Sequence, residues 1–308
     1  MAIDSPPVLP VSLRQLQYLV AVADSGSFRR AADACHVAQP SLSAQVAQAE
    51  AQLGLRLFER DRRGVRLTPG GQALVEQARR VLVAAGDLKN LAQHFLDPFR
   101  GTLRLGVIPT VGPYLLPDVA PALTRAFPDL TVVWSEDRTS RLVQQIEDGA
   151  LDSALLALEA DLGACEYTVL GREPFVLAAA PGHPLMTRRG PATLDDLHGA
   201  PLLLLEDGHC FRDQVYSLCA PSGATQMSLR ATSLSTLTQM VGGGVGVTLL
   251  PALAVPVENR RGQLAIRRFA PPVPGRTLVL AWRRGAALRA ALTQVADAMR
   301  KAFPKTRH

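Results

Sequence analysis

The sequence predicts an α/β protein in two parts: a small N-terminal winged helix-turn-helix with a long helix behind it, then a larger doubly wound α/β domain. Three observations carry this reading. A helix with a stripe of neutral polar residues is followed at once by an arginine-rich hairpin. A strict 4-3 spacing of apolar residues then runs from Leu74 to Phe95. Beyond Arg100-Gly101 the pattern changes to short alternating strands separated by helical stretches, as in a layered α/β domain. The 308 residues are enough for two or three domains, with room for large buried cores.

The first helix opens at Ser12-Leu13-Arg14-Gln15, where a Ser N-cap and a Gln three residues on form a capping box. Leu13, Leu16, Val20 and Ala23 recur at helical spacing, and Ser25-Gly26 should end the helix. Ser27 can cap a second short helix through Ala31, Ala32 and Ala34. A turn through His36 and Val37 leads to a third helix at Gln39-Pro40, with Pro tolerated in the first turn. There Leu42, Val46, Ala49 and Leu53 share one face, while Ser41, Gln45, Gln48 and Gln52 repeat the spacing a quarter-turn round. Ser and Gln can read base edges in a major groove, and a helix presented after a short turn is the helix-turn-helix arrangement. A solvated polar face on an ordinary bundle helix would show the same period.

Leu57-Phe58 and Val65-Arg66-Leu67 read as two short strands about a turn at Arg63-Gly64. Arg56, Arg60, Arg62, Arg63 and Arg66 cluster there, as a wing that meets phosphates would require. Thr68-Pro69 starts the long helix. Its residues Leu74, Ala78, Val81, Ala85, Leu88, Ala92 and Phe95 form a coiled-coil seam, which a partner chain or the helix's own domain could cover. In the second part, strands fall near 131–134, 153–158, 175–180, 201–205, 247–250 and 277–282. Helical stretches include Arg141–Glu147, Ser235–Val241 and Leu288–Phe303. Gly242-Gly243-Gly244 reads as a turn between helix and strand.

The formal net charge of +6 permits a polyanion partner. Residues 1–100 hold 12 basic and 9 acidic side chains, a surplus of 3, so half the net charge lies outside the part assigned to DNA. No apolar run approaches the roughly 18 residues that span a bilayer. Met1 to Pro10 carries Asp4 and no basic start, so a signal peptide is not expected. A cytoplasmic location follows, with cysteines reduced unless a redox event joins them. Cys35, Cys165, Cys210 and Cys219 form no zinc-ligand spacing, and no G-x-G-x-x-G occurs. Neither a metal nor an organic cofactor is expected.

The stretch Leu202 to Cys219 is the most telling. An apolar strand ends at Glu206-Asp207-Gly208, and a helix-like run begins near His209. Cys210 should sit at a helix N-terminus beside His209 and near Arg212, surroundings that favour thiolate. Were the run wholly helical, Cys219 would lie roughly 13–14 Å away. A bridge needs Cα atoms within about 7 Å, so a disulfide would require the segment to refold. Two buried structural cysteines are the simpler alternative.

The ordered set Leu16-x-x-Leu19, Gly26-Ser27-Phe28, Ala31-Ala32, Gln39-Pro40-Ser41-Leu42-Ser43, Leu53-Gly54, Leu57-Phe58-x-Arg60 and Leu67-Thr68-Pro69-x-Gly71 resembles the DNA-binding half of LysR-type transcription regulators. Gly208-His209-Cys210-x-Arg212-Asp213 followed by Cys219 resembles the redox segment of peroxide-sensing members of that family. So do Ile108 to Pro117, Thr232 to Val241, Thr248-Leu249-Leu250-Pro251, Arg276-Thr277 and Arg283. Ser228-Leu229-Arg230-Ala231 departs from the pattern, where an acidic residue is common, and the N-terminus is extended.

The resemblance implies a tail at 1–11, a DNA-binding domain at 12–68 and a dimerising linker helix at 69–98. It implies a sensor domain at 101–308 built like periplasmic solute-binding proteins, with lobe one at 101–172 and 275–308 and lobe two at 173–274. It assigns double-stranded DNA to Gln39, Pro40, Ser41, Ser43, Gln45, Gln48, Arg62 and Arg63. Cys210 becomes the peroxidatic and Cys219 the resolving thiol, with Thr110, Thr139, His209 and Arg276 around hydrogen peroxide. A homo-oligomer (a dimer of dimers), RNA polymerase and a thiol reductant such as glutaredoxin or thioredoxin are the implied partners. Cys35 and Cys165 are read as structural. The competing readings are a LysR-type regulator of a small organic effector and a thiol peroxidase.

Overall fold

The computed structural model describes residues 10–61, 64–94 and 99–304. It divides into two compact units, Met1–Asn90 and Leu91–His308. Residues 1–9 of the expected tail, Arg62 and Arg63 with the turn there, and Phe95 lie outside the described residues. So do the side chains of Arg60, Leu88 and Ala92.

In the first unit, α1 (Leu13–Ser25) opens on the expected capping box. The Gln15 N–H donates to Ser12 Oγ at 3.2 Å, and the Ser12 N–H donates to Gln15 Oε1 at 2.8 Å. Gly26, at φ +60°, ends it. Ser27 caps α2 (Phe28–Ala34) through the Arg30 N–H. Next, α3 (Gln39–Leu53) starts without a side-chain cap, and Pro40 occupies its first turn. Leu19, Val22, Ala31, Leu42, Val46, Ala49 and Leu57 bury themselves between these helices.

Strands β1 (Phe58–Asp61) and β2 (Gly64–Leu67) pair antiparallel. Leu57 belongs to the core rather than to the hairpin. Glu50 of α3 accepts both the Leu57 and Phe58 N–H groups, at 2.7 and 3.1 Å, and so fixes where the hairpin leaves. Thr68 Oγ1 accepts the Gly71 N–H at 2.9 Å and caps α4 (Pro69–His94). Gly71 permits that entry: a Cβ there would stand 2.2 Å from the Leu57 carbonyl oxygen.

At its start α4 packs against its own unit, one of the two covers the seam allowed. Val75 and Ala78 are buried in the unit's own core, with Leu74 and Val81 packed beside them. The first turns of the 4-3 stripe therefore cover this domain, because a helix leaving the wing must first close the core beneath it.

The second unit begins with β3 (Gly101–Val107), α5 (Gly112–Ala126), β4 (Leu130–Glu136), α6 (Thr139–Glu147), β5 (Ser153–Ala157) and the long β6 (Glu166–Ala179). It continues with α7 (Pro184–Thr187), β7 (Pro201–Leu205), α8 (Cys210–Cys219), β8 (Thr225–Ala231), α9 (Leu234–Gly242) and β9 (Val247–Pro251). The last elements are α10 (Val255–Glu258), β10 (Ala265–Arg268), β11 (Gly275–Trp282) and α11 (Arg289–Ala302). The sheet order is β4-β3-β5-β11-β6-β9-β7-β8, with β10 on β6. Strand β3 lies parallel to β4 and β5, and β7 parallel to β8 and β9, whereas β6 and β11 run antiparallel to each other.

Two apolar cores result. One gathers Leu105, Leu115, Leu142, Leu155, Leu280 and Leu292. The other gathers Phe175, Leu177, Leu203, Phe211, Leu237 and Leu249. Strand β6 supplies both, Leu170 to the first and Phe175 to the second, whereas β11 supplies the first. At the crossing, Arg276 stands directly opposite Glu173 in the β-ladder.

Candidate functional site

The crossing holds a buried charge. Arg276 is fully buried, and its Nε donates to Glu173 Oε2 at 2.7 Å. One terminal nitrogen donates to Thr110 Oγ1 at 2.7 Å, the other to the Thr110 carbonyl at 2.8 Å. A buried cation is tolerable only when paired and hydrogen-bonded in this way. Glu173 is buried too, and its other oxygen accepts the Leu253 N–H at 3.2 Å. The guanidinium carbon lies 5.5 Å from the Phe211 ring centre, and Phe211 meets Phe175 edge-on at 5.2 Å. Arg276 thus joins Thr110 and touches α8 through Phe211. Its hydrogen bonds among the described residues go to Glu173 and Thr110, not to the Cys210 sulfur.

Helix α8 spans the two cysteines from end to end, with His209 as N-cap and Cys210 as its first residue. No side chain caps it, and the Arg212 N–H turns back to the His209 carbonyl at 2.9 Å, so what reaches Cys210 is the positive end of the helix dipole. Both cysteines are free thiols; Cys210 is half-buried and Cys219 buried. Burial pushes the Cys219 thiol up to about 12. Arg212 corrects the sequence reading: it pairs with Asp207 at 3.1 Å and Asp213 at 2.8 Å and stacks over Tyr216. Those carboxylates, not the thiol, hold its charge.

His209 is buried, with Nε2 3.9 Å from Glu206. Burial and then the nearby Arg138 hold it below its ordinary value, against an opposing pull from Glu206. It is therefore a neutral ring at neutral pH. Arg138 is itself ion-paired with Glu206, and it lies where a Cβ on Gly208 would fall.

A cavity of about 800 Å³ opens beside Cys210, lined also by Thr139, Gly208, Gln214, Ser217 and Gly275. Thr139 Oγ1 and both amide atoms of Gln214 are buried without a hydrogen-bond partner among the described residues. Unpaired buried polar atoms are costly, and here they line one cavity with a thiol. Cys210 and Thr139 thus line one cavity, Thr110 and Arg276 form a cluster that reaches α8 through Phe211, and His209 holds the N-cap position of α8 without a side-chain hydrogen bond.

Sequence reading missed Gln214 and Glu173. Gln214 is four residues after Cys210, hence one turn along the same face, and that spacing could have found it. Glu173 lies 103 residues from Arg276, and nothing local signals the pair. Cys165 is a half-buried thiol pushed up to about 11 by burial and by Glu147. Cys35 ends α2, half-buried.

On α3, Gln39, Pro40, Ser41, Gln48 and Gln52 are exposed, Ser43 and Gln45 are half-buried, and Leu42, Val46 and Ala49 face inward. The polar stripe is therefore presented outward, with Gln52 also meeting Gln15 at 3.4 Å. Among the described residues no cluster of His, Cys, Asp or Glu is placed to hold a metal. None of their helices is long and apolar enough to cross a membrane.

Comparison with known proteins adds an independent line. The pattern of the LysR substrate binding domain matches residues 97–304, and that of the bacterial regulatory helix-turn-helix protein, lysR family, matches residues 13–72. The chain is 46% identical over 292 residues to the hydrogen peroxide-inducible genes activator of Dickeya chrysanthemi, covering 94% of this chain and 95% of that one. It is 45% identical over 291 residues to the DNA-binding transcriptional dual regulator OxyR of Escherichia coli (strain K12), with 94% and 95% covered. A full-length OxyR variant from Pseudomonas aeruginosa is similar in structure, with a TM-score of 0.77 at 36% identity over 94% of this chain and 95% of that one.

Proposed function

Because the chain belongs to the LysR-type family of bacterial transcription regulators, we propose that it is a DNA-binding regulator switched by hydrogen peroxide at Cys210. The observation that carries this reading is the placement of Cys210. It is a half-buried thiol on the first turn of an uncapped helix, beside a cavity lined by unpartnered polar groups. Similarity to the hydrogen peroxide-inducible activators supports it.

In the proposed cycle the Cys210 thiolate attacks one peroxide oxygen, the O–O bond breaks, and the second oxygen leaves as water after taking a proton. The resulting sulfenic acid condenses with the Cys219 thiol: an S–S bond forms, the S–O bond breaks, and water leaves. Thr139 and Thr110 supply hydroxyls at the peroxide site, Arg276 holds Thr110, and neutral His209 shapes the helix start. Helix α8 places the two cysteines nine residues apart, roughly 13–14 Å along its axis, so the bond forms only if α8 unwinds. A thiol reductant such as glutaredoxin or thioredoxin resets the switch.

Residues 12–68 would contact DNA through Gln39, Pro40, Ser41, Ser43, Gln45 and Gln48, with Arg62 and Arg63 on phosphates. Residues 69–98 would pair two chains into a dimer, and dimers into a tetramer. The sensor at 101–308 would pass its state to DNA and RNA polymerase in the cytoplasm, without catalytic turnover. The test is mild peroxide on the reduced chain, with thiols mapped by alkylation and peptide mass spectrometry. A fast Cys210–Cys219 bridge that a reductant reverses supports the reading, and slow, unselective oxidation defeats it.

A second reading has one observation in its favour. About 800 Å³ is the size of a cavity for an organic ligand and far exceeds one peroxide. If the chain answers an organic effector, induction survives replacement of Cys210.

A further inference from the structure

The cavity beside Cys210 carries a charge pattern at odds with the chain around it. The whole chain has a net charge of +6, yet four carboxylates, Glu147, Glu159, Asp161 and Asp213, line this cavity and no lysine or arginine does. Asp213 is neutralised by Arg212 at 2.8 Å. The other three make no ion pair among the described residues. Glu159 accepts the Thr277 N–H at 2.7 Å, and Asp161 accepts the Gly163 N–H at 2.9 Å. Those bonds hold two of the charges in place without cancelling them.

The same cavity presents Thr139, 7% exposed, and Gln214, 9% exposed, with their polar atoms unpartnered. Neutral hydrogen-bonding groups at the thiol and uncompensated carboxylates in the surrounding wall suit a neutral polar ligand. They oppose an anionic one: Glu147, Glu159 and Asp161 are exposed residues whose like charge sums across a concave lining and is weakened by salt.

We propose that Glu147, Glu159 and Asp161 are specificity-determining residues of the Cys210 site, admitting neutral oxidants such as hydrogen peroxide and excluding anionic oxidants and anionic thiols. This rests on the peroxide reading of the same cavity. It also bears on the second step of the cycle. An anionic small thiol meets the same field as it approaches the Cys210 sulfenic acid, whereas the Cys219 thiol arrives uncharged from within the fold. The wall therefore favours the internal disulfide over a mixed one.

The experiment uses the reduced full-length chain carrying Cys219→Ser and reads Cys210 alone by peptide mass spectrometry. Two methanethiosulfonates of similar size, one ending in trimethylammonium and one in sulfonate, are compared with hydrogen peroxide. The cationic-to-anionic rate ratio is referred to that of a cysteine in an unstructured peptide. At low salt it should exceed the peptide value by on the order of tenfold, and it should collapse toward that value near about 1 M salt, where screening reaches about 3 Å.

Glu159→Gln and Asp161→Asn, which keep their hydrogen-bond acceptors, and Glu147→Gln should each lower the ratio, while the peroxide rate should barely respond to salt. A ratio equal to the peptide value at low salt, or one that salt and all three substitutions leave unchanged, overturns the proposal. If the ratio behaves as expected but peroxide leaves Cys210 untouched, the charge filter stands and the peroxide reading falls.

Discussion

Removing the Glu173 carboxylate would leave the Arg276 guanidinium buried with only the two Thr110 oxygens to receive it. Breaking a buried pair from one side typically costs about 3–5 kcal/mol, while replacing both partners by apolar groups can cost far less. Glu173→Leu should therefore lower the thermal midpoint strongly, and Glu173→Leu with Arg276→Met should recover much of the loss; equal losses in both would contradict this account. His209 gives a pH signature. Its pKa is held below 6.5 in the fold, so as pH falls the unfolded chain takes up this proton first. The stability linked to neutral His209 is complete above about pH 6.5 and declines below it. His209→Gln should flatten that decline when melting is compared at about pH 7.5 and about pH 5.5. At this scale the sequence was uneven. Cys210, Thr139 and His209 could be picked out by local residue type and resemblance, but Glu173 could not, because its meaning comes from a strand partner far along the chain.

Helix α8 is the element on which the proposed switch turns. It is complete in the reduced form, and its last residue, Cys219, is buried with a thiol raised to about 12. Iodoacetamide near about pH 8 should therefore label Cys210 well ahead of Cys219 in the folded chain, with the difference disappearing on denaturation. After oxidation, amide exchange across 210–219 should speed up, since the bridged cysteines cannot keep the helical rise between them. In the DNA-binding unit, Gly71→Ala would push a methyl group into the Leu57 carbonyl. It should lower the melting point and weaken DNA binding together. Elements with local signals were legible: the Ser12 capping box, the Ser27 cap, the Gly26 stop and the strands at 201–205 and 247–250. Strand β8 and the first half of β6 were not, because each buries a single residue, Ala231 and Leu170. Helix α5 was not either, for it carries Pro117 and Pro121 within it.

For the whole molecule, the logarithm of DNA affinity should fall linearly with the logarithm of salt concentration. Arg63→Ala should reduce that slope by about 1, whereas Gln48→Ala should alter sequence preference with little change in slope; binding measured over a salt series on specific and scrambled duplexes separates the two. The plan of a polar helix, a basic hairpin, a long helix and an α/β domain was readable from periodicity alone. The merging of the sensor's strands into one sheet was not, since β6 and β11 pair across more than a hundred residues. That pairing has a mechanical consequence. Two antiparallel strands, paired on both sides of a bulge at Leu278 and Val279 and each feeding an apolar core, resist being pulled apart but can twist about their common axis. They form a torsion bar, clamped near Arg276 and Glu173. A local rearrangement of α8 against Phe211 would be felt by the rest of the domain as rotation rather than as opening.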